Sequence, residues 1–190
     1  MKNVAVGALL AGAGSLFFLS SGASGLPPEL SSALPVASLA GKATMSMWGF
    51  GLYQASLWVA PGFSEAAYER TAFVLDLTYL RNFRGPDIAQ RSIREMRRQG
   101  PLKAEDEARW EAQMRALFPD VTPGDRLTGI HQPGVGVIFW SNGRLLGEIR
   151  DPEFSRLFFG IWLSPQTSEL LMRQALVAGA KALPHAGTPP

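Results

Sequence analysis

A chain of 190 residues with 46% apolar and 18% charged side chains is long enough for one domain with a real core, or at most two. Its formal charge is +2, and without Lys2 the balance is 17 basic to 16 acidic side chains, which gives no reason to expect a nucleic-acid partner. It has no cysteine, which excludes disulfides, thiolate nucleophiles, thiolate metal sites and a lipid-modified N-terminal cysteine.

Met1-Lys2 supplies one positive charge, and residues 4–19 are an unbroken run of apolar and small residues. Ser21-x-Ala23 then puts small residues where a signal peptidase cuts, and Leu26-Pro27-Pro28 ends any helix. This is the pattern of a secretory signal over residues 1–23, so the chain is expected to be periplasmic or otherwise exported from a bacterium. The run is shorter than the ~20 residues of a bilayer span, and retention as an N-terminal anchor is the alternative. Residues 24–38, rich in Pro, Ser and Leu, read as a linker, and residues 39–180 as the folded domain. Residues 181–190 have no periodicity and end in two prolines, the composition of a disordered tail.

From Leu39 to Ala60 the chain is apolar, aromatic and nearly uncharged, and predicts two strands meeting near Trp48-Gly49-Phe50-Gly51. Ala72 to Leu80 alternates, with Phe73, Leu75, Leu77 and Tyr79 on one face of a strand. The period then changes. Ile88, Ala89, Ser92, Ile93 and Met96 share one side of a helix over 87–99, and Arg91, Arg94 and Arg98 share another. Gly100-Pro101 ends it, and a second helix over 105–118 carries Trp110, Met114 and Leu117 at helical spacing. Strands return at 126–131, 135–140 and 145–149, the last two joined by Asn142-Gly143, which accepts the positive φ angles of a type I′ turn. Asp151-Pro152-Glu153 opens a helix with an N-cap acceptor, a proline at N1 and an acid on the dipole. Ser164-Pro165 repeats that arrangement before a final helix through Ala178, whose expected apolar face is Leu170, Leu171, Ala175 and Leu176. Segregated elements in this order predict an α+β fold with helices over one face of an antiparallel sheet. The groove between the layers is the natural place for a ligand.

Most catalytic patterns are missing from the sequence. Gly134-Val135-Gly136 lies in a hairpin with no following helix, so it is no phosphate loop. With two histidines, one of them His185 in the tail, there is no His-based metal cluster, and no serine sits in a nucleophile-elbow pattern. No cofactor and no metal are expected. Arg81, Arg84, Arg91, Arg94, Arg97 and Arg98 are countered by Asp87 and Glu95; most of these suit a solvated helix face. Arg84, just before the helix, and Arg91, two turns later, are expected to look along one edge toward the groove, where an arginine can hold a carboxylate by a bidentate pair. Tyr53 and Tyr79 lie on strands among apolar neighbours. Their hydroxyls either find a backbone partner or point into the groove. The candidate ligand-binding residues are therefore Tyr53, Tyr79, Arg84 and Arg91. His131 reads as structural, and Trp110, Trp140 and Trp162 read as core.

Several runs in this order resemble the bacterial chalcone isomerase-like proteins. They are Phe118-Pro119-Asp120-Val121, Gly124-Asp125-Arg126-Leu127, Gly134 to Phe139, Asn142-Gly143, Leu146-Gly147, Asp151-Pro152-Glu153-Phe154, and Phe159 to Ser168, with Tyr53-x-Ala55-x-Leu57 and Leu77-x-Tyr79 before them. The resemblance covers roughly residues 40 to 178. It implies an open-faced β-sandwich, a large antiparallel sheet covered on one face by helices. In the plant enzymes of that superfamily a pocket between the layers closes a flavonoid ring, using a strand arginine and threonine and a helix tyrosine and asparagine. Non-catalytic relatives hold fatty acids there. Carried over, the threonine falls near Tyr53, and the tyrosine and asparagine near Arg84 and Arg91. The strand arginine has no counterpart between Leu39 and Phe50, where Lys42 is the sole cation. The groups that would stabilise a developing enolate are thus unmatched.

Three readings follow. The first is an exported binder or carrier of a small hydrophobic, fatty-acid-like or otherwise carboxylate-bearing ligand, with no nucleic-acid partner and no stable membrane span after signal cleavage. The second is an isomerase (intramolecular lyase) acting on an unknown substrate. The third is a structural or partner-binding envelope protein whose groove is filled by its own side chains.

Overall fold

The computed structural model describes residues 34–180. The expected signal, most of the expected linker and the expected tail lie outside the described residues. Six strands, β1 (Ser38–Met47), β2 (Phe50–Val59), β3 (Phe73–Tyr79), β4 (Arg126–Gln132), β5 (Gly136–Ser141) and β6 (Arg144–Ile149), form one sheet in the order of the sequence, each pair antiparallel. Helices α1 (Gly85–Met96) and α2 (Ala104–Leu117) are inserted between β3 and β4, while α3 (Pro152–Leu163) and α4 (Leu170–Val177) follow β6.

The hairpins form where turn chemistry allows. Asn142 and Gly143 both hold positive φ (48° and 78°), as a type I′ turn requires. Trp48 and Gly49 do the same between β1 and β2 (51° and 80°), although a bulky side chain in that region is uncommon. Along β3, Phe73, Leu75, Leu77 and Tyr79 are buried under the helices, as their alternation predicts. The opposite face is not bare. Leu34 covers a second apolar cluster of Trp58, Val74 and Ile130. Beside it, Asp76 takes two hydrogen bonds of 3.2 Å from Arg126 Nε and one of 3.1 Å from Nη2, and a further one from Thr128.

The main core is aromatic. Phe154, Phe158 and Phe159 of α3 meet Phe139 of β5 and Phe73 of β3, with ring centroids 4.7 to 6.4 Å apart. The start of α3 behaves as the sequence predicts: Asp151 Oδ1 accepts from the N–H groups of Glu153 and Phe154. His131 is buried and structural. Its Nε2 donates to the Glu69 carbonyl at 2.9 Å, its Nδ1 lies 2.7 Å from Ser155 Oγ, and Phe73 stacks on its ring.

The last helix differs from expectation. Ser164-Pro165 opens no helix. Ser164 instead closes α3 through its N–H to Gly160, and the segment turns back through Thr167, whose hydroxyl donates to the Ile161 carbonyl. Helix α4 starts at Leu170 and buries Met172, Leu176 and Val177, leaving Leu170, Leu171 and Ala175 exposed. Its orientation is set by close approach to β1 at Gly41, where a Cβ would lie 2.1 Å from the Ala175 carbonyl oxygen. Among the described residues no helix is long and apolar enough to cross a membrane.

Candidate ligand-binding site

A cavity of about 370 Å³ lies between the helix-covered face of β1–β4 and helices α1 and α3. Its floor is apolar, built from Met45 and Met47 of β1, Leu52 of β2 and Leu77 of β3. A bulge helps. The β1–β2 register jumps from Met45↔Tyr53 to Ser46↔Gly51, which brings both Leu52 and Tyr53 into the same wall. Ile88 and Ser92 of α1, with Phe158 and Trp162 of α3, form the roof. Charged groups at the margin come from Asp87, Arg91, Arg94, Glu95 and Glu169.

On the sheet side, two tyrosines supply polar groups. Tyr53 and Tyr79 are cross-strand partners with ring centroids 6.0 Å apart in an edge-on arrangement. Trp162 Nε1 donates to the Tyr53 hydroxyl at 3.0 Å, so that oxygen serves as acceptor and its own proton remains available. The Tyr79 hydroxyl makes no hydrogen bond among the described residues, although Tyr79 is only 4% exposed. Burial pushes the Tyr53 phenol up to about 12 and the Tyr79 phenol higher still. Both therefore stay neutral donors throughout the ordinary pH range.

The arginines are arranged differently from the expectation. Arg91 lines the margin, but its Nη2 lies 2.8 Å from Glu95 Oε1. Glu95 also takes Arg98 at 2.9 Å and the Ser168 hydroxyl at 3.1 Å. Arg94 donates to Gln90 at 3.1 Å. Arg84 is exposed and forms no part of the wall. It occupies the extended N-cap of α1 (ψ 139°), outside the helical turn, where its carbonyl accepts from Asp87 and Ile88; the two-turn spacing to Arg91 therefore does not align the two side chains. Of the four residues singled out from the sequence, Tyr53, Tyr79 and Arg91 are brought together and Arg84 is not.

Trp162, which reads as core from the sequence, is buried, yet it also walls the cavity and donates to Tyr53. Its spacing of four from Phe158 marks one helix face, but nothing local reveals that the face meets Tyr53, 109 residues away. Trp110 belongs to the core, its Nε1 donating to Asp151 Oδ2 at 2.9 Å.

An antiparallel sheet with one face roofed by helices and an apolar cavity between the layers defines the class of protein: an open-faced α+β sandwich. The family model for chalcone isomerase-like proteins matches residues 26–178, and the chain belongs to the chalcone isomerase-like family. It is 29% identical over 136 residues to an uncharacterized protein of Haemophilus influenzae, across 71% of this chain and 65% of the other, so it spans just under two thirds of that relative. Among solved structures it is similar to a fatty-acid binding protein of Arabidopsis thaliana, with TM-score 0.59 and 9% identity, across 77% of this chain and 89% of that one. At that identity the likeness concerns the fold.

Proposed function

We propose that this chain binds a small, mainly hydrophobic molecule in the cavity between sheet and helices. The supporting observation is the site itself: about 370 Å³ walled by methionine, leucine and aromatic side chains, with two neutral tyrosine hydroxyls facing the interior. Fatty-acid binding by the Arabidopsis thaliana protein agrees in ligand class. In this reading the tyrosines hold an oxygen of the ligand, and Arg91, at the margin, is the one singled-out arginine placed to meet a carboxylate, in exchange for Glu95. Ring-closure chemistry has weaker support. It calls for a cation facing a developing negative charge, and the strand arginine that would supply it has no counterpart between Leu39 and Phe50.

The same proposal includes export directed by residues 1–23, so that the working protein begins at Ser24. Native mass spectrometry of the gently purified protein, followed by solvent extraction, tests both parts. A co-purifying apolar compound and a mass starting at Ser24 are expected. A ligand-free mass, with no thermal stabilisation by fatty acids or chalcones, would overturn the binding reading. A full-length mass in the secreted fraction would overturn cleavage.

A further inference from the structure

The tip of the β1–β2 hairpin exposes what soluble surfaces usually bury. Trp48 is 91% exposed, Phe50 59% and Leu80 44%. Trp48 also holds a positive φ of 51°, a strained position for a bulky residue and one that the other hairpin fills with asparagine. The groups surround the tip. Phe50 pairs with Met47, a cavity-wall residue, on the sheet face turned to the helices. Leu80 lies across Gly51 on the other face, where a Cβ on Gly51 would come within 2.9 Å of its Cδ1. Trp48 forms the point. Residues 43–64 contain no charged side chain, and between Leu77 and Pro86 the charged residues are Arg81 and Arg84. Both are exposed, and the Arg81 guanidinium sits 4.9 Å above the Phe50 ring.

We propose that this tip is a docking wedge for a bilayer containing anionic phospholipid, which brings the end of the cavity floor at Met47 to the lipid surface. Tryptophan and phenylalanine prefer the boundary between headgroups and acyl chains, and an arginine beside them, as Arg81 is beside Phe50, is attracted to anionic headgroups. A bilayer suits this tip better than a protein. A two-residue turn offers a point, whereas a stable protein interface needs about 800 Å² from each partner. The purpose of the wedge, delivery of an apolar ligand to or from the cavity, rests on the binding proposal; its contact with lipid does not.

The test uses the exported chain as purified from the secreted fraction, with vesicles of phosphatidylcholine, with and without phosphatidylglycerol, and with brominated acyl chains as quenchers. Brominated vesicles containing phosphatidylglycerol should quench part of the tryptophan emission, and Trp48→Phe should remove that quenching. Arg81→Gln should weaken partitioning onto the anionic vesicles about fivefold. Binding of anilinonaphthalene sulfonate to the cavity, measured without vesicles, should be unchanged in Trp48→Phe. No quenching of the natural chain, or undiminished quenching in Trp48→Phe, would overturn the wedge, even if the tip was found to hold a protein instead. A silent fluorescent probe beside intact Trp48-dependent quenching would instead count against the cavity reading alone.

Discussion

Tyr53 and Tyr79 look equivalent along their strands, but their hydroxyls have different obligations. Tyr53 accepts from Trp162, so Tyr53→Phe strands a buried indole N–H and should lower stability by about 1–3 kcal/mol. Tyr79→Phe removes a hydroxyl without a partner among the described residues, and its stability should stay within about 0.5 kcal/mol of the natural chain. Chemical denaturation separates the two, and ligand affinity should fall in both. The third tyrosine, Tyr68, is also raised to about 12 by burial. Each phenol binds its proton more tightly folded than unfolded. The stability tied to these protons is therefore complete below about pH 10, the unfolded value, and is lost as pH climbs toward 12 and beyond. A spectrophotometric titration should find no tyrosine ionising with a midpoint near 10 while the fold persists. Tyr79 is legible from the alternation of its strand, because a strand fixes which side chains share a face. Tyr53 is legible only as a strand tyrosine among apolar neighbours, since the bulge beside it breaks the alternation. The partner that distinguishes them is not legible, because it comes from the far end of the chain.

The elements most legible in the sequence are those whose ends carry their own chemistry. Asp151 is one case. Burial alone would raise its carboxyl, but hydrogen bonds from the Phe154 N–H, Trp110 Nε1 and the Glu153 N–H, with Arg109 beside them, hold it below the ordinary range. Asp151→Ala therefore removes a helix cap and leaves a buried indole without its acceptor, and should cost about 2–3 kcal/mol, read as a lowered midpoint in urea. Ser164-Pro165 carries a similar signature and yet ends a helix, because its turn is fixed by bonds from Thr167 to Ile161 and from Arg173 to Leu163. Arg84 fell outside the site for a related reason. Helical spacing predicts a shared face only for residues inside the helix, and Arg84 stands one position before it.

For the molecule as a whole, the order of strands and helices was enough to read the architecture, since every strand pairs with its sequence neighbour. The same order places a groove between the layers, but the size of the cavity was not readable in this way. The cavity is a mismatch between two layers, with the β2 bulge on one side and the facing side chains of α1 and α3 on the other. A sequence specifies which faces are apolar well before it specifies how completely they meet.

The insertion of α1 and α2 between two strands that are already neighbours has a kinetic consequence. The sheet ladder from β3 to β4 closes without them, and the excursion is tied at its base by the Phe83–Val121 bridge, with bonds of 3.0 and 2.8 Å. Displacement of α1, the part of the roof that lies within this excursion, would therefore break no bond of the β3–β4 ladder. Amide hydrogen exchange should show α1 exchanging faster than β3 and β4 in the ligand-free protein, and slowing selectively once the cavity is occupied. Uniform exchange across roof and sheet would mean that the two open together, and a ligand would then come and go only as fast as the protein unfolds.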